Sequence, residues 1–341
     1  MHHCGYLIML MATVASLRRP VHVLTRSSHS TTVLLGASKR KSSAASTSSS
    51  NQQVAQRGSI STAEENMLLV SKTVEARSGE IITGLRDKGW AVCDNFLGND
   101  VCELYRKEAA GYLERNQMTL SKSTRWDADT QTVVTYDKKN VFATQLDGGE
   151  MYYSSPRLHE YVVSLVKTMV PIVQNEFPEA SLSATMASNK LAVCTGKGSY
   201  YDKHYDNSGY DDLRKLTVLY YMNHDWRPEL GGCFRIYKRS NHDATDGAAD
   251  AQAPPPSIHG IPGVVIGEDV TYDVEPRGDR LLVFWSDRLV HSVQPSEAPR
   301  GVIDHRWALT VWITATHPGA INHNDAEVLQ HFSELQKGVQ G

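Results

Sequence analysis

The sequence predicts an α+β protein that is mainly β, with helices towards the N-terminus and short strands towards the C-terminus. Three observations lead to this prediction. Apolar residues recur at helical spacing in several segments before residue 177. After that point, eight short β-rich runs are separated by turn residues, which is typical of an antiparallel double sheet or barrel. No apolar run reaches the ~20 residues that a membrane-spanning helix needs, so no membrane span is expected.

The N-terminal half is predicted to contain three helices and one strand. The helices are expected at about 61–88, 99–114 and 155–176, and the strand at 89–97. Asn99 or Asp100 can cap the second helix, because short polar side chains accept hydrogen bonds from the first free N–H groups. Pro171 is expected to kink or break the third helix. Residues 117–150 are polar and look irregular, apart from a strand at 132–136.

The C-terminal half is predicted to be a succession of strands. They are expected at 190–194, 200–205, 215–221, 233–237, 270–274, 280–284, 290–293 and 306–314. A surface insertion at 238–268 interrupts this series, since its sequence is rich in Ala, Asp and Pro. We expect a single domain at 64–318, with its core at about 82–316. A C-terminal tail at 319–341 offers one amphipathic helix at about 324–337.

The charges divide the chain into two parts. Residues 1–63 contain seven of the 35 basic residues and none of the 38 acidic ones, so the remainder carries a net charge of −10. Such a body has no basic excess to attract nucleic acid. Because residues 1–63 are also rich in Ser, Thr and Arg, we expect a disordered leader with the composition of an organelle targeting peptide, mitochondrial or plastid. Two alternatives stay open: a secretory signal in the apolar stretch 5–17, and no address at all, which leaves the protein in the cytoplasm or nucleus.

His204 and Asp206 form the first part of a candidate metal site. They lie two residues apart at a predicted strand, which directs both side chains to one face. His291 follows another predicted strand and can supply a third ligand. Two histidines and one carboxylate bind Fe(II) on one face and leave the remaining positions open. A second pair, His323 and Asp325, lies in the polar tail without such companions, so a His-x-Asp pair alone is weak support.

Arg306 begins the apolar strand predicted at 306–314. Its planar guanidinium can hold a carboxylate through two parallel hydrogen bonds. Ala308, Thr310 and Trp312 share its face, because strand side chains alternate. An anion pocket beside the third candidate ligand suits a dicarboxylic co-substrate. The alternative is a structural Arg–Asp pair.

Taken together and in this order, several segments resemble the iron- and 2-oxoglutarate-dependent prolyl hydroxylases, most of all the HIF-type enzymes of oxygen sensing. The segments are HYDN (204–207), LTVLYYMNHDW (216–226), GGCFRIY (231–237), VEPRGDRLLVFWSDR (274–288), HSVQP (291–295) and RWALTVW (306–312), with a fainter match at GWAVCDNFLG (89–98). The resemblance implies a double-stranded β-helix, a variant of the jelly roll, with supporting N-terminal helices.

The resemblance also implies roles for individual residues. His204, Asp206 and His291 would bind iron and form the catalytic centre. Arg306 would hold the distal carboxylate of 2-oxoglutarate, with help from the Tyr221 hydroxyl. Other residues would line the same pocket: Thr310, Trp312, Leu219 and Phe234.

Three departures from the family pattern limit the transfer. The spacing from His291 to Arg306 is longer than usual, so Arg300 competes as the anchor for 2-oxoglutarate. Cys194 stands where the HIF-type enzymes have a tyrosine facing 2-oxoglutarate, and one hydrogen bond to the co-substrate is expected to be lost. The insertion lengthens a loop, and residues 117–150, which gate the substrate in the relatives, match poorly.

The expected activity is hydroxylation of proline in a protein or peptide. Molecular oxygen would be consumed, 2-oxoglutarate would give succinate and CO2, and ascorbate would keep the iron reduced. One alternative is a 2-oxoglutarate oxygenase acting on another residue or on a small molecule. The alternative from another class is a non-catalytic binding module that has kept the fold.

Overall fold

The computed structural model describes residues 62–127, 130, 132–207, 211–238 and 270–322. Nearly all of the predicted leader and insertion, and all of the predicted tail helix, lie outside these residues and stay predictions. Within the described part of the chain, no helix combines the length and the apolar character needed to cross a membrane.

The described helices are α1 (Ala63–Asp87), α2 (Asn99–Glu114), α3 (Glu150–Ser154) and α4 (Pro156–Glu176). A capping box fixes the start of α1. The Thr62 hydroxyl accepts a hydrogen bond from the Glu65 N–H at 3.2 Å, and the Glu65 carboxylate accepts one from the Thr62 N–H at 3.1 Å. The predicted positions of the three long helices are confirmed to within a few residues.

The predicted cap of α2 is wrong. Gly98 is the N-cap residue, and no side chain of its own turn caps the helix. Instead, the Asp279 carboxylate accepts hydrogen bonds from the N–H groups of Leu97 and Gly98, each at 2.7 Å. These bonds fix the segment that leads into α2, and a partner about 180 residues away along the chain leaves no local signal in the sequence.

The prediction that Pro171 breaks the third helix is also wrong, since α4 continues through it, whereas the predicted kink stays a prediction. Proline inside a helix costs ~3 kcal/mol because it removes one hydrogen bond and crowds the preceding turn. A long buried face on α4, which includes Leu165, Met169 and Val173, offsets this cost.

The strands form two antiparallel sheets. The larger sheet has the order β1-β9-β6-β11-β4-β3-β2 and the smaller has the order β5-β10-β7-β8. Their bounds are β1 (Trp90–Cys93), β2 (Thr119–Asp127), β3 (Thr132–Thr144), β4 (Leu182–Cys194), β5 (Ser199–His204), β6 (Arg214–Tyr221), β7 (Phe234–Lys238), β8 (Val270–Val274), β9 (Arg280–Trp285), β10 (Val290–Ser296) and β11 (Arg306–Ala315). All eight strands predicted after residue 177 are present, and the α+β, mainly β class is confirmed.

Residues 117–150, predicted to be mostly irregular, contain a long hairpin. β2 and β3 pair from Thr119 opposite Ala143 to Asp127 opposite Thr132. Their polar composition reflects position, because β2 is the edge strand of the larger sheet and an antiparallel sheet can expose one face. The β-branched run 132–135 was the correct signal, and it extends much further than predicted.

Alternation along the strands separates two apolar layers. On β6, Leu216, Val218 and Tyr220 belong to the core shared with the helices, whereas Leu219 and Tyr221 face the smaller sheet. β11 behaves in the same way, with one face against the helices and the other towards the smaller sheet. The face between the sheets therefore presents every second residue of β6 and β11, and the candidate site lies there.

Candidate active site

His204, Asp206 and His291 come together in a cavity between the two sheets. His204 ends β5, Asp206 follows two residues later, and His291 on β10 is the cross-strand partner of His204. One potential ligand atom from each lies within 4.8 Å of the others. The Asp206 Oδ1 atom is 3.6 Å from His204 Nε2 and 3.7 Å from His291 Nε2. The three predicted residues thus form one cluster.

Backbone carbonyls orient both imidazole rings. The Nδ1 atom of His204 lies 2.7 Å from the Asp202 carbonyl oxygen, and that of His291 lies 3.0 Å from the Leu289 carbonyl oxygen. Each Nδ1 must carry the proton to donate to a carbonyl, so each Nε2 keeps its lone pair for a metal. The ring of Phe234 stacks on His291 with centroids 4.6 Å apart, which fixes that ring further.

A hydroxyl chain orients the carboxylate. The Thr217 hydroxyl donates to Asp206 Oδ2 at 2.8 Å, and Thr217 Oγ1 lies 2.7 Å from the Ser286 hydroxyl. Asp206 Oδ1 is therefore the oxygen that faces the two histidines. This division of the two oxygens is what a monodentate carboxylate ligand needs.

The pKa values of His291 and Asp206 favour the protonation states that bind a metal cation. Burial, together with the neighbouring His204, lowers the pKa of His291 to about 4. Burial raises the pKa of Asp206, but His291 and His204 lower it more strongly, so the net pKa lies well below its usual range. At neutral pH His291 is neutral and Asp206 is charged, and both are then able to bind a metal.

The cavity beside the cluster has a volume of about 420 Å³. Leu219, Phe234, Thr310 and Trp312 all contribute to its walls, as the resemblance implied. Arg306 lines it as well. The hairpin of β2 and β3 adds further wall residues, so the segment that matched the relatives poorly also helps to enclose the site.

The structure separates the two candidate arginines. Arg306 is only 6% exposed and lines the cavity, and its Nε donates to the Gly232 carbonyl at 2.7 Å. The Arg300 side chain is 46% exposed and is held by Asp304 at 2.7 Å. The extra residues between His291 and Arg306 form a short 3-10 helix, Gly301–Asp304, outside the sheets. The longer spacing therefore does not prevent Arg306 from beginning β11 with its side chain in the cavity.

Gly232 makes room for Arg306. It adopts a φ of +70°, and a Cβ added there would lie 2.7 Å from Arg306 Cδ and 3.0 Å from Ser296 Cβ. Gly231 has a similar conformation and closely approaches the Pro295 carbonyl oxygen. The GGC segment of the sequence thus lets a guanidinium pass between two strands.

Two buried polar atoms at this arginine have no hydrogen-bond partner within the described residues: Arg306 Nη2 and the Tyr221 hydroxyl. The buried Trp312 Nε1, further along β11, has none either. Tyr221 lies behind Arg306 and is not a wall residue, with its ring centroid 5.2 Å from Arg306 Cζ. Burial raises the pKa of Tyr221 to about 12, although Arg306 opposes this, so the hydroxyl remains a donor. The predicted help of Tyr221 to Arg306 stays a prediction.

Cys194 lies opposite Arg306 in the β4–β11 register and is fully buried, but it is not a wall residue. Its thiol is too short to reach the position that a tyrosine hydroxyl would occupy. The loss of a hydrogen bond to the co-substrate at this position stays a prediction.

Sequence reasoning missed several polar wall residues, namely Lys138, Lys190, Tyr201 and Arg214. Lys190 could have been identified from the sequence, because it is a lysine within a predicted strand. It shares a face of that strand with Ala192, which also lines the cavity. Lys138 lies on β3, whose extent was not predicted. Burial, together with the neighbouring Lys190, lowers the pKa of Lys138 to about 7. Burial also lowers the pKa of Lys190.

Known proteins show which family this chain resembles. Residues 190–314 match the family model described as the 2OG-Fe(II) oxygenase superfamily. The hypoxia-inducible factor prolyl hydroxylase of Caenorhabditis elegans is 27% identical over 240 residues, which cover 68% of this chain and 27% of that protein. Prolyl hydroxylase EGLN3 of Mus musculus is 35% identical over 128 residues, which cover 37% of this chain and 39% of that protein. The chain thus spans well under half of each of these two relatives.

A solved structure shows the same fold. It is a prolyl hydroxylase from Trichoplax adhaerens in complex with a peptide fragment of the hypoxia inducible factor oxygen degradation domain. The TM-score is 0.54 at 21% identity, with 75% of this chain and 96% of that chain covered. The predicted double-stranded β-helix is therefore confirmed, with β4 to β11 as its eight strands. Residues 190–314 thus match the 2OG-Fe(II) oxygenase superfamily model, and the chain is similar to prolyl hydroxylases.

Proposed function

We propose that this protein is an Fe(II)- and 2-oxoglutarate-dependent dioxygenase that hydroxylates proline in a protein or peptide. The observation that carries the proposal is the convergence of His204 Nε2, Asp206 Oδ1 and His291 Nε2 on a cavity that also contains buried Arg306. These groups provide a metal site and an anion anchor in one enclosed space.

The donor set fits Fe(II). Two neutral imidazoles and one carboxylate form a facial arrangement that leaves positions free for other ligands. The carbonyls behind the two Nδ1 atoms and the Thr217 hydroxyl behind Asp206 hold the ligands in place before a metal binds. We assign the metal-binding role to His204, Asp206 and His291.

The buried donors fit 2-oxoglutarate. Arg306 Nη2 and the Tyr221 hydroxyl are buried without partners in the described residues, which is costly unless a ligand accepts their hydrogen bonds. A carboxylate in front of Arg306 would satisfy the guanidinium directly. We assign the distal carboxylate of 2-oxoglutarate to Arg306, and Leu219 and Phe234 to the apolar walls around its chain.

When bound, Fe(II) and 2-oxoglutarate supply the oxidising chemistry that inserts an oxygen atom into a C–H bond. The protein residues provide position and exclusion. Arg306 fixes the far end of the co-substrate, the three ligands fix the metal, and the hairpin of β2 and β3 narrows the access of water. Ascorbate is proposed as the reductant that keeps the iron active.

Proline in a peptide is the proposed substrate because of the relatives. The curated relatives are prolyl hydroxylases by name, and the Trichoplax enzyme holds a peptide fragment. In this chain, residues of the hairpin of β2 and β3 and Trp312 on β11 line the cavity, and we propose that the peptide lies against them.

A turnover assay tests the proposal. The protein is incubated with Fe(II), ascorbate, oxygen and 2-oxoglutarate, with and without proline peptides, and succinate is measured. Peptide mass is measured in parallel. We expect succinate that depends on peptide, together with a gain of one oxygen atom on proline, and we expect both to be lost in His204→Ala and Asp206→Ala.

Each alternative has its own outcome. Succinate without an oxygenated proline points to another residue or a small molecule as substrate. Peptide binding without succinate under any condition points to a non-catalytic module and overturns the enzymatic proposal. Intact folding of the variants, checked by circular dichroism, excludes a trivial loss of activity.

We further propose an organelle address for the leader, from its composition alone. A fluorescent protein fused to residues 1–63 reports the destination. Diffuse cytoplasmic or nuclear fluorescence, or entry into the secretory pathway, contradicts the organelle proposal.

A further inference from the structure

The cavity carries more positive charge than the proposed chemistry needs. Its described walls include five cationic side chains, Lys122, Lys138, Lys190, Arg214 and Arg306, but the only carboxylate among them is Asp206. Arg214 pairs with Asp212 behind the wall. In the part of the chain that the structure describes, Lys138 and Lys190 form no ion pair with a carboxylate.

The two unpaired lysines share one location. The Lys138 ammonium lies 4.0 Å from the ring centroid of Tyr201, and the Lys190 ammonium lies 5.4 Å from the same centroid. Two ammonium groups held on one ring repel each other, and removing them partly from water adds to the cost. An anion between or beside them would offset both effects.

The position of the lysines separates them from the proposed co-substrate anchor. Lys190 pairs with Thr310 in the β4–β11 register. Thr310 is four residues from Arg306 along β11, which corresponds to ~13 Å between the Cα atoms of these two residues. The Lys190 ammonium turns towards the hairpin and donates to Ser121 on β2 at 2.9 Å. Lys138 belongs to the hairpin itself. The two charges therefore lie on the hairpin side of the cavity.

A count of the formal charges also indicates that Lys138 and Lys190 lack an anionic partner. The two carboxylates of 2-oxoglutarate and Asp206 together balance Fe(II) and Arg306, so Lys138 and Lys190 stay uncompensated in the loaded site. We propose that Lys138 and Lys190 form a binding site for an acidic group of the substrate, close to the proline that is hydroxylated. This inference rests on the proposed function and assigns a substrate class to it: peptides with a carboxylate next to the reactive proline.

A binding experiment tests this without turnover. Full-length protein is loaded with Mn(II) and 2-oxoglutarate without oxygen, and titrated into two fluorescent peptide pools. The pools are identical except that the residues flanking proline are Glu in one and Gln in the other. We expect the Glu pool to bind at least ~10-fold more tightly. Lys138→Met and Lys190→Met should each reduce this preference, whereas the corresponding arginine variants should retain it.

Lys139 provides a matched control. It neighbours Lys138 on β3 but is exposed and does not line the cavity. Lys139→Met should keep the full preference for the Glu pool. If that variant loses the preference as Lys138→Met does, the effect is general charge attraction and the proposed site is wrong.

The co-substrate is the competing source of the anion. Affinity for 2-oxoglutarate is therefore measured separately in the Mn(II) protein without peptide. A loss of this affinity in the lysine variants, with the peptide preference unchanged, assigns the lysines to 2-oxoglutarate and overturns the inference. Equal binding of both pools, or no binding of either, also overturns it. Failure of the enzymatic proposal appears elsewhere, as absence of succinate in the aerobic assay.

Discussion

The Arg306 guanidinium lies against the ring of Tyr221, with Cζ 5.2 Å from the ring centroid, and both residues keep a buried donor without a partner in the described residues. The tyrosine ring limits the guanidinium on one side, and the Gly232 carbonyl accepts from its Nε. Only the remaining donors face the cavity. The arginine is thus oriented before any carboxylate arrives.

Arg306→Lys should weaken 2-oxoglutarate binding by about 10- to 100-fold, because an ammonium cannot reproduce a charged, two-point contact worth about 1.5–3 kcal/mol. Binding of Mn(II) alone should remain unchanged. Arg300→Lys is the matched control and should leave both affinities unaltered, since Arg300 bonds Asp304 outside the cavity. Isothermal titration measures all four values. A larger effect from Arg300 than from Arg306 would reassign the anchor.

Gly232→Ala should displace Arg306 and destabilise the fold. The new methyl group would lie 2.7 Å from Arg306 Cδ at a φ of +70°, and we expect a loss of about 1–3 kcal/mol in the free energy of unfolding. Affinity for 2-oxoglutarate should fall with it. Chemical denaturation and co-substrate titration are the measurements.

Gly79→Ala is the control for that variant. Gly79 lies inside α1, and nothing lies within 4 Å of an added Cβ. Alanine should therefore raise stability by about 0.5–1 kcal/mol, since glycine is the poorer helix former. Equal effects at the two glycines would mean that the close approach to Arg306 is not what requires Gly232.

The positions of the three candidate metal ligands and of Arg306 were predictable from sequence because strand geometry directs their side chains. His291 and Arg306 each begin or nearly begin a strand, and alternation then determines the face of every following residue. The direction of Arg306 could be predicted even with an unusual spacing. The 3-10 helix that absorbs the extra residues lies outside the ladder.

The hairpin and the lysines were harder to predict for a physical reason. β3 lies between β4 and the edge strand β2, and its residues alternate between cavity and solvent, so they show no apolar pattern. Lys138 faces the cavity only because β3 pairs in that register. The hydrogen bonds from Leu97 and Gly98 to Asp279 were hard to predict for the same reason, since a tertiary contact creates them.

Thr217→Val should weaken metal binding by about 10-fold, because the hydroxyl that orients Asp206 is lost while the shape of the side chain is kept. The expected change is in Mn(II) affinity, measured by electron paramagnetic resonance, with little change in overall fold. Thr271→Val on β8 is a control, since that threonine is exposed and lies away from the cavity. Unchanged Mn(II) affinity in Thr217→Val would show that Asp206 needs no such support.

The buried ion pair of Lys215 and Asp287 gives a prediction about stability. The Lys215 ammonium is 2.7 Å from Asp287 Oδ2, and the two side chains are 1% and 0% exposed. Asp287→Asn should cost about 3–5 kcal/mol in the free energy of unfolding, because it leaves a buried charge without its partner. Asp273→Asn, at the exposed pair with Arg235, should cost at most about 1 kcal/mol. Urea denaturation measures both losses.

Asp287→Asn should also strengthen a pH dependence of known sign. Burial lowers the pKa of Lys215, and Asp287 opposes this, so removal of Asp287 lowers the pKa further. Between the lowered pKa of Lys215 in the folded protein and the ordinary lysine pKa of about 10.4, the unfolded chain binds more protons than the folded chain. The free energy of unfolding should therefore rise with pH in the alkaline range. Lys215→Met combined with Asp287→Leu removes both charges and should recover most of the loss without this slope. If the double variant is as unstable as Asp287→Asn, the ion pair contributes more to the free energy of unfolding than the mutual neutralisation of two buried charges.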